Sequence, residues 1–315
     1  MSLRYQNPVY DQYLADPFVL QHEGQHYAYG TGPLSPDGWP FPVLRSTDLV
    51  NWKQHGWALI PPGGDEFWAP EVAYSNGTFY MYYSAHGIDG QDHQLRVATS
   101  VDPLGPFQDA GQVLIPDQPF TIDAHPFQDQ DGEWYLFYSR DFLTLDQEYR
   151  VGTGIVVDRM PDMLTLAGNP HPVIRPHADW QLFKAGRSMY GAVYDWHTVE
   201  GPALRLHNNR YYCFYSGGAW EQDNYGVSYV IADHPLGPYR LPFGKETVLL
   251  RSVPGRLIGP GHNSFTMSPS GEQEYIVYHA WDPEMTARRM CIDKLTWDHD
   301  LPVIHGPTWT EQSLD

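Results

Sequence analysis

The chain has 315 residues, 42% of them hydrophobic and 15% aromatic, which is length and apolar content enough for a large packed core. Its formal net charge of −19 repels phosphate backbones and anionic lipid surfaces, so nucleic acid and membranes are excluded as expected partners, while a neutral ligand is indifferent to it. No stretch reaches transmembrane length, and 29 Gly and 28 Pro spread along the chain suit an all-β protein with many tight turns.

The N-terminus, M-S-L-R-Y-Q-N-P, has no apolar segment of the secretory kind, which gives a cytoplasmic expectation. From Ala15 onward one phrase recurs: a polar residue near a proline, a run to a turn, then an aromatic-rich strand. Its copies are A-D-P-F-V-L-Q-H-E-G-Q-H-Y-A-Y-G (15–30), W-A-P-E-V-A-Y-S-N-G-T-F-Y-M-Y-Y-S (68–84), I-D-A-H-P-F-Q-D-Q-D-G-E-W-Y-L-F-Y-S (122–139), E-G-P-A-L-R-L-H-N-N-R-Y-Y-C-F-Y-S (200–216) and G-H-N-S-F-T-M-S-P-S-G-E-Q-E-Y-I-V-Y-H-A (261–280). Each holds a hairpin signal at its centre: E-G, N-G, D-G, N-N or S-G. The strands that follow carry Tyr27, Tyr80, Tyr135, Tyr212 and Tyr275, spaced by 53, 55, 77 and 63 residues. A second half-repeat ends in punctuated turns, as in R-S-T-D-L-V-N-W (45–52), A-T-S-V-D-P-L-G-P-F (98–107) and I-A-D-H-P-L-G-P-Y (231–239). Each unit therefore reads as four short antiparallel strands, and the chain as one five-bladed β-propeller domain over residues 1–315. The long third unit implies an insertion at Asn169–Val199, with Trp180 and Trp196, placed at the mouth of a site. Cys213 and Cys291 fall in strands and read as two buried thiols.

In a propeller the first strand of each blade lines the axis. The residues opening those strands are Asp16, Glu71, Asp123, Glu200 and His262, which stand 11, 9, 12, 12 and 13 residues ahead of the aligned tyrosines. Singly, each has an ordinary explanation as a turn or core residue. Four acids and a histidine converging on one axis do not, because desolvated like charges cost energy that function normally justifies. Glu71 is out of phase and reads as structural. Two carboxyls across a channel suit inverting glycoside hydrolysis, in which a base activates water and an acid protonates the leaving oxygen.

A-D-P-F-V, W-A-P-E-V, I-D-A-H-P-F and V-E-G-P-A-L, in that order, together with N-W-K-Q-H-G (51–56) and C-I-D-K-L-T-W-D (291–298), resemble glycoside hydrolase family 43 over nearly the whole chain. The resemblance implies Asp16 as general base, Asp123 as the carboxylate that tunes and orients, and Glu200 as general acid. It also implies that G-P-G-H-N-S (259–264) brings His262 to the axis, where some members hold calcium, although no cofactor is expected to be required. Arg288, rather than Arg289, is the expected substrate arginine. Trp68, Trp220 and Phe120, with Trp39, are the expected sugar-facing aromatics.

The family's activities leave α-L-arabinofuranosidase, β-D-xylosidase and endo-arabinanase open. An insertion that walls the mouth favours exo action, and the expected substrate is a neutral pentose-containing oligosaccharide. A propeller that binds sugar without catalysis is the competing reading, and the three acids speak against it. A retaining fructan hydrolase would need a closer carboxylate pair. The sequence leaves the oligomeric state open.

Overall fold

The computed structural model describes residues 3–88, 92–145 and 148–314. Its elements are almost all strands, and no described helix is long and apolar enough to cross a membrane. The first unit is a meander of Ala15–His22, Gln25–Thr31, Pro42–Ser46 and Lys53–Trp57. The second runs through Glu66–Ser75, Thr78–His86, Gln94–Ser100 and Phe107–Val113, and the short strand Leu59–Ile60 pairs parallel to its outer edge. The third comprises Thr121–Gln128, Trp134–Phe142, Gly152–Met160 and His171–Ile174. The fifth comprises Ile258–Met267, Glu274–Trp281, Arg288–Asp298 and Leu301–Ile304.

The fourth unit departs from the four-strand expectation. It has the distal half of Ala192–His207, then Arg210–Gly217 and Gly226–Ala232. Its outer position holds only the isolated bridges Val227↔Leu250 and Ile231↔Arg240. The segment that follows carries Pro235, Pro238, Pro242 and Pro254, and proline cannot donate to a ladder.

All five hairpin signals join the first two strands of their units, three of them as two-residue turns and Asp131–Gly132 and Ser270–Gly271 within longer loops. Glu23–Gly24, Asn76–Gly77 and Asn208–Asn209 all have positive φ at both central residues, which matches the right-handed twist of the flanking strands. Five apolar clusters lie between neighbouring units, and the aligned tyrosines distribute among them. Tyr27 joins units one and two, Tyr80 two and three, Tyr135 three and four, Tyr212 four and five, and Tyr275 five and one. The first strands pack each against the next, and that of the fifth unit packs against that of the first. This cyclic order makes the molecule a β-propeller. Arg4–Tyr5 pairs with Gln312–Ser313, and the Asn7 side chain bonds both backbone groups of Ile292, tying the N-terminus to the last unit.

The expected insertion is shorter than Asn169–Val199. His171–Ile174 is the outer strand of the third unit. The remainder is a hairpin of Leu182–Met189 against the proximal half of Ala192–His207, in which Trp196 is fully buried. Cys213 and Cys291 are both buried and unbridged.

Candidate active site

Every first strand has the same irregularity. Two of its residues stand opposite one residue of the next strand: Asp16–Pro17, Ala69–Pro70, Asp123–Ala124, Gly201–Pro202 and His262–Asn263. The leading residue of each pair has positive φ: 50° at Asp16, 47° at Ala69, 59° at Asp123, 57° at Gly201 and 48° at His262. Such bulges re-aim side chains at the rims of sheets. Left-handed backbone at a non-glycine residue costs roughly 1–3 kcal/mol unless its surroundings hold it there.

The surroundings do so by a latch passed from unit to unit. The bulge N–H of Ala69 donates to Thr31 Oγ1 of the preceding unit at 2.9 Å, that of Asp123 to Ser84 Oγ at 3.1 Å, and that of His262 to Ser216 Oγ at 2.6 Å. At the first unit the Asp16 N–H donates to Nδ1 of His279 at 3.1 Å, so the last unit latches the first. The fourth joint differs. Its latch residue, Ser139, has an unpartnered Oγ, and the Gly201 N–H donates instead to Oδ2 of Asp123 at 3.0 Å.

This register corrects one sequence expectation. Asp16, Asp123 and His262 share the bulge position, whereas Glu200 stands one residue earlier, equivalent to Ala15, Trp68, Ile122 and Gly261. Gly201 takes the bulge position itself, and the absence of a side chain there lets the His262 ring lie against it, where an added Cβ would meet ring atoms at 3.2 Å. Glu71 lies two residues past its bulge. Its carboxylate accepts from His125 Nδ1 at 2.7 Å, and His125 Nε2 accepts the Leu204 N–H at 3.0 Å, so it ties three first strands together.

The structure brings Asp16, Asp123, Glu200, His262, Arg288, Trp68 and Trp220 to one cavity of about 310 Å³, with Tyr13, Thr31 and Ile122. Asp16 Oδ1 lies 3.3 Å from Arg288 Nη1, 3.4 Å from His262 Nδ1 and 3.3 Å from His279 Nδ1. Burial alone would raise its pKa, but the charges of His262 and Arg288 outweigh it and hold the carboxyl well below the ordinary range. Asp16 is therefore a carboxylate at any ordinary pH. Glu200 is the opposite case. It keeps an edge open to the cavity, yet little water surrounds its carboxyl. Burial first, and the neighbouring Asp123 second, push its pKa up. Asp123 is also raised, chiefly by burial. Burial disfavours the imidazolium of His262, but Asp16, Asp123 and Glu200 raise its pKa overall.

Arg288 is positioned by more than Asp16. Its Nε and Nη2 donate to the Tyr13 hydroxyl at 3.0 and 2.9 Å, and its guanidinium lies 4.3 Å from the ring centre of Trp220. Trp220 stacks on Trp281, whose Nε1 donates to the Trp220 carbonyl. Arg289 points elsewhere, to Asp282 and the Asp11 carbonyl. Trp68 lies flat on His93 at 3.4 Å, and Phe120 meets His93 edge-on at 6.1 Å without lining the cavity. Trp39 is not at this site. It faces a separate recess with Trp57 and His55. No residue of 169–199 lines the cavity itself.

Three neighbours escaped the sequence reading. Tyr225 donates its hydroxyl to Glu200 Oε1 at 2.8 Å. Tyr13 braces Arg288. His279 holds Asp16, and it carried a signal: it puts Tyr-His where the second strands of units two to four have Tyr-Ser.

Asp123, Glu200 and His262 offer ligand atoms within 4.8 Å of one another. Two carboxylates and an imidazole are a poor set for calcium, which takes six to eight oxygens. These residues do not fit a calcium ion.

The family profile described as "Glycosyl hydrolases family 43" matches residues 5–302. A β-D-galactofuranosidase of Aspergillus niger is 29% identical over 92% of this chain and 81% of its own. An extracellular exo-α-(1→5)-L-arabinofuranosidase of Streptomyces avermitilis is 25% identical over 98% of this chain and 65% of its own. Among solved structures, a thermostable family-43 glycoside hydrolase superposes with a TM-score of 0.85 at 34% identity, covering 98% of both chains. An endo-1,4-β-xylanase of Bacteroides thetaiotaomicron gives 0.77 at 29% identity, covering 96% of this chain and 98% of its own.

Proposed function

Since the chain belongs to glycosyl hydrolase family 43 and is a glycosidase acting on O-glycosyl bonds, we propose that it removes single terminal pentofuranosyl residues, α-L-arabinofuranose first among them, with inversion at the anomeric carbon. The observation that carries this is the opposed protonation of two carboxyls on one cavity: Asp16 held ionised, Glu200 held protonated. That is the division of labour of a base and an acid.

Asp16 accepts a proton from a water as that water attacks the anomeric carbon. Glu200 gives its proton to the departing glycosidic oxygen. Because the Tyr225 hydroxyl occupies Oε1, the transferable proton sits on the other oxygen, and the same hydroxyl stabilises the carboxylate left behind. Asp123 helps keep Glu200 protonated and, through the Gly201 N–H, fixes the backbone beside it. Trp68 and Trp220 offer apolar faces to the sugar ring, and Arg288 offers donors to its hydroxyls.

Exo action rests on size. About 310 Å³ is at the small end of ligand pockets, room for one sugar residue. The relatives named for arabinofuranose and galactofuranose favour a five-membered ring. β-D-Xyloside is the second reading, favoured by a relative named as a xylosidase/arabinosidase. Initial rates on 4-nitrophenyl α-L-arabinofuranoside, β-D-galactofuranoside and β-D-xylopyranoside decide it. Preference for the xyloside by tenfold or more would overturn the furanose assignment, and activity confined to internal bonds of long arabinan would overturn exo action.

A further inference from the structure

His279 occupies the latch position, where units one to four carry Thr31, Ser84, Ser139 and Ser216. Three of those hydroxyls do the same task as His279 with much less bulk, catching the N–H of the next bulge. A latch alone therefore does not call for an imidazole. Three observations show what the ring adds.

First, Nδ1 of His279 accepts the Asp16 N–H at 3.1 Å, as the hydroxyls do at other joints, and the same ring edge stands 3.3 Å from the Asp16 carboxylate Oδ1, where a neutral nitrogen with its lone pair forward keeps the oxygen from moving back. A serine latch reaches only the backbone. Second, the ring is completely buried, and its Nε2 has no hydrogen-bond partner. Burial lowers the His279 pKa to about 4, so the ring is neutral. It thus costs a desolvated polar atom that a serine would not. Third, its face lies parallel to Tyr225, with ring centres 5.8 Å apart at 7°, and Tyr225 is the residue that holds Glu200. The ring therefore fills the space behind the site, between the residue carrying the base and the residue bracing the acid.

We propose that His279 is a positioning residue for Asp16, setting the rotamer of the carboxylate that activates water, in addition to latching the fifth unit to the first. It touches no substrate, since it does not line the cavity. The inference rests on Asp16 being the base. Arg288 Nη1 and His262 Nδ1 approach the same Oδ1 from the cavity side, at 3.3 and 3.4 Å. Without the bulk of the imidazole behind it, the carboxylate drops back into the vacated space and away from the attacking water. A displacement of about 1 Å at a reacting group costs on the order of 100-fold in rate.

The test compares His279→Ser with Asp16→Ala and Tyr225→Phe, using glycosides whose leaving groups range from nitrophenol to an unactivated sugar. His279→Ser restores the hydroxyl latch used at the other joints, so thermal melting confirms that folded protein is being assayed. The expected result for His279→Ser is a kcat lower by about 10- to 100-fold with KM within about twofold, and the same loss for good and poor leaving groups, because water activation is needed for both. Tyr225→Phe, acting on the acid, loses rate mainly on poor leaving groups. Wild-type kcat in His279→Ser, or a loss confined to poor leaving groups, overturns the positioning of Asp16. Should Asp16→Ala itself retain wild-type turnover, it is the base assignment that fails.

Discussion

Asp123→Asn isolates the electrostatic coupling on which proton donation by Glu200 depends. The substitution removes a charge and keeps a carbonyl oxygen able to accept the Gly201 N–H that Asp123 now accepts at 3.0 Å. Ligand atoms of Asp123 and Glu200 lie within 4.8 Å of each other. Two unit charges at that range, with an effective dielectric near 20, repel by about 3 kcal/mol, equivalent to roughly 2 pK units. The sign follows directly. An ionised Asp123 disfavours ionisation of Glu200 and so raises its pKa, and removing the charge lowers it. Burial, the larger cause, remains, so Glu200 stays above the ordinary glutamate range. Turnover of a poor leaving group requires protonated Glu200. Its alkaline limb should therefore move to lower pH by about one to two units in Asp123→Asn. The acid limb reflects Asp16, whose carboxyl is held below the usual range, and should stay in place. The assay is kcat/KM against pH on an unactivated oligosaccharide, read by released reducing sugar. An alkaline limb that does not move, or that moves to higher pH, would refute the coupling.

Glu200→Ala should lower turnover of poor-leaving-group substrates by about 10²- to 10⁴-fold and spare activated aryl glycosides. Asp16→Ala should abolish both alike, and equal losses in the two variants would contradict the division of roles. NMR of the first-formed sugar should show the inverted anomer, and a retained anomer would exclude the mechanism. Gly152→Ala tests the joint between units three and four. An added Cβ would stand 1.7 Å from the His197 carbonyl oxygen, where Gly152 pairs with that residue. The melting temperature should drop by many degrees, and an unchanged melt would show that the joint is not tight.

The repeat, the hairpins and the aligned tyrosines were legible in the sequence because each is a local matter. Residue pairs that readily take positive φ close a tight hairpin between two strand-forming runs, and an aromatic a short distance beyond the hairpin lands in the next interface. Asp16, Asp123 and Glu200 were legible by the same token, as residues opening the innermost strands. Their relative placement was not. Only pairing with the second strand shows that each first strand bulges, and a bulge changes a side chain's direction within one residue. That is why Glu200 works from the position before its bulge while Asp16 and Asp123 work from the bulge itself. Tyr225 and Tyr13 reach the site from outside the repeated first and second strands, so no spacing along the chain announced them; His279 alone stood at a repeat position, as the histidine where other units have a hydroxyl. The bounds of the insertion were not legible for a related reason: chain length betrays an insertion but not where it packs, and here part of 169–199 is the outer strand of its own blade. The sequence by itself determined a ring of repeated sheets with acids at its axis. Tertiary structure alone decided which carboxyl keeps its proton, because that depends on burial and on neighbouring charges supplied by other blades.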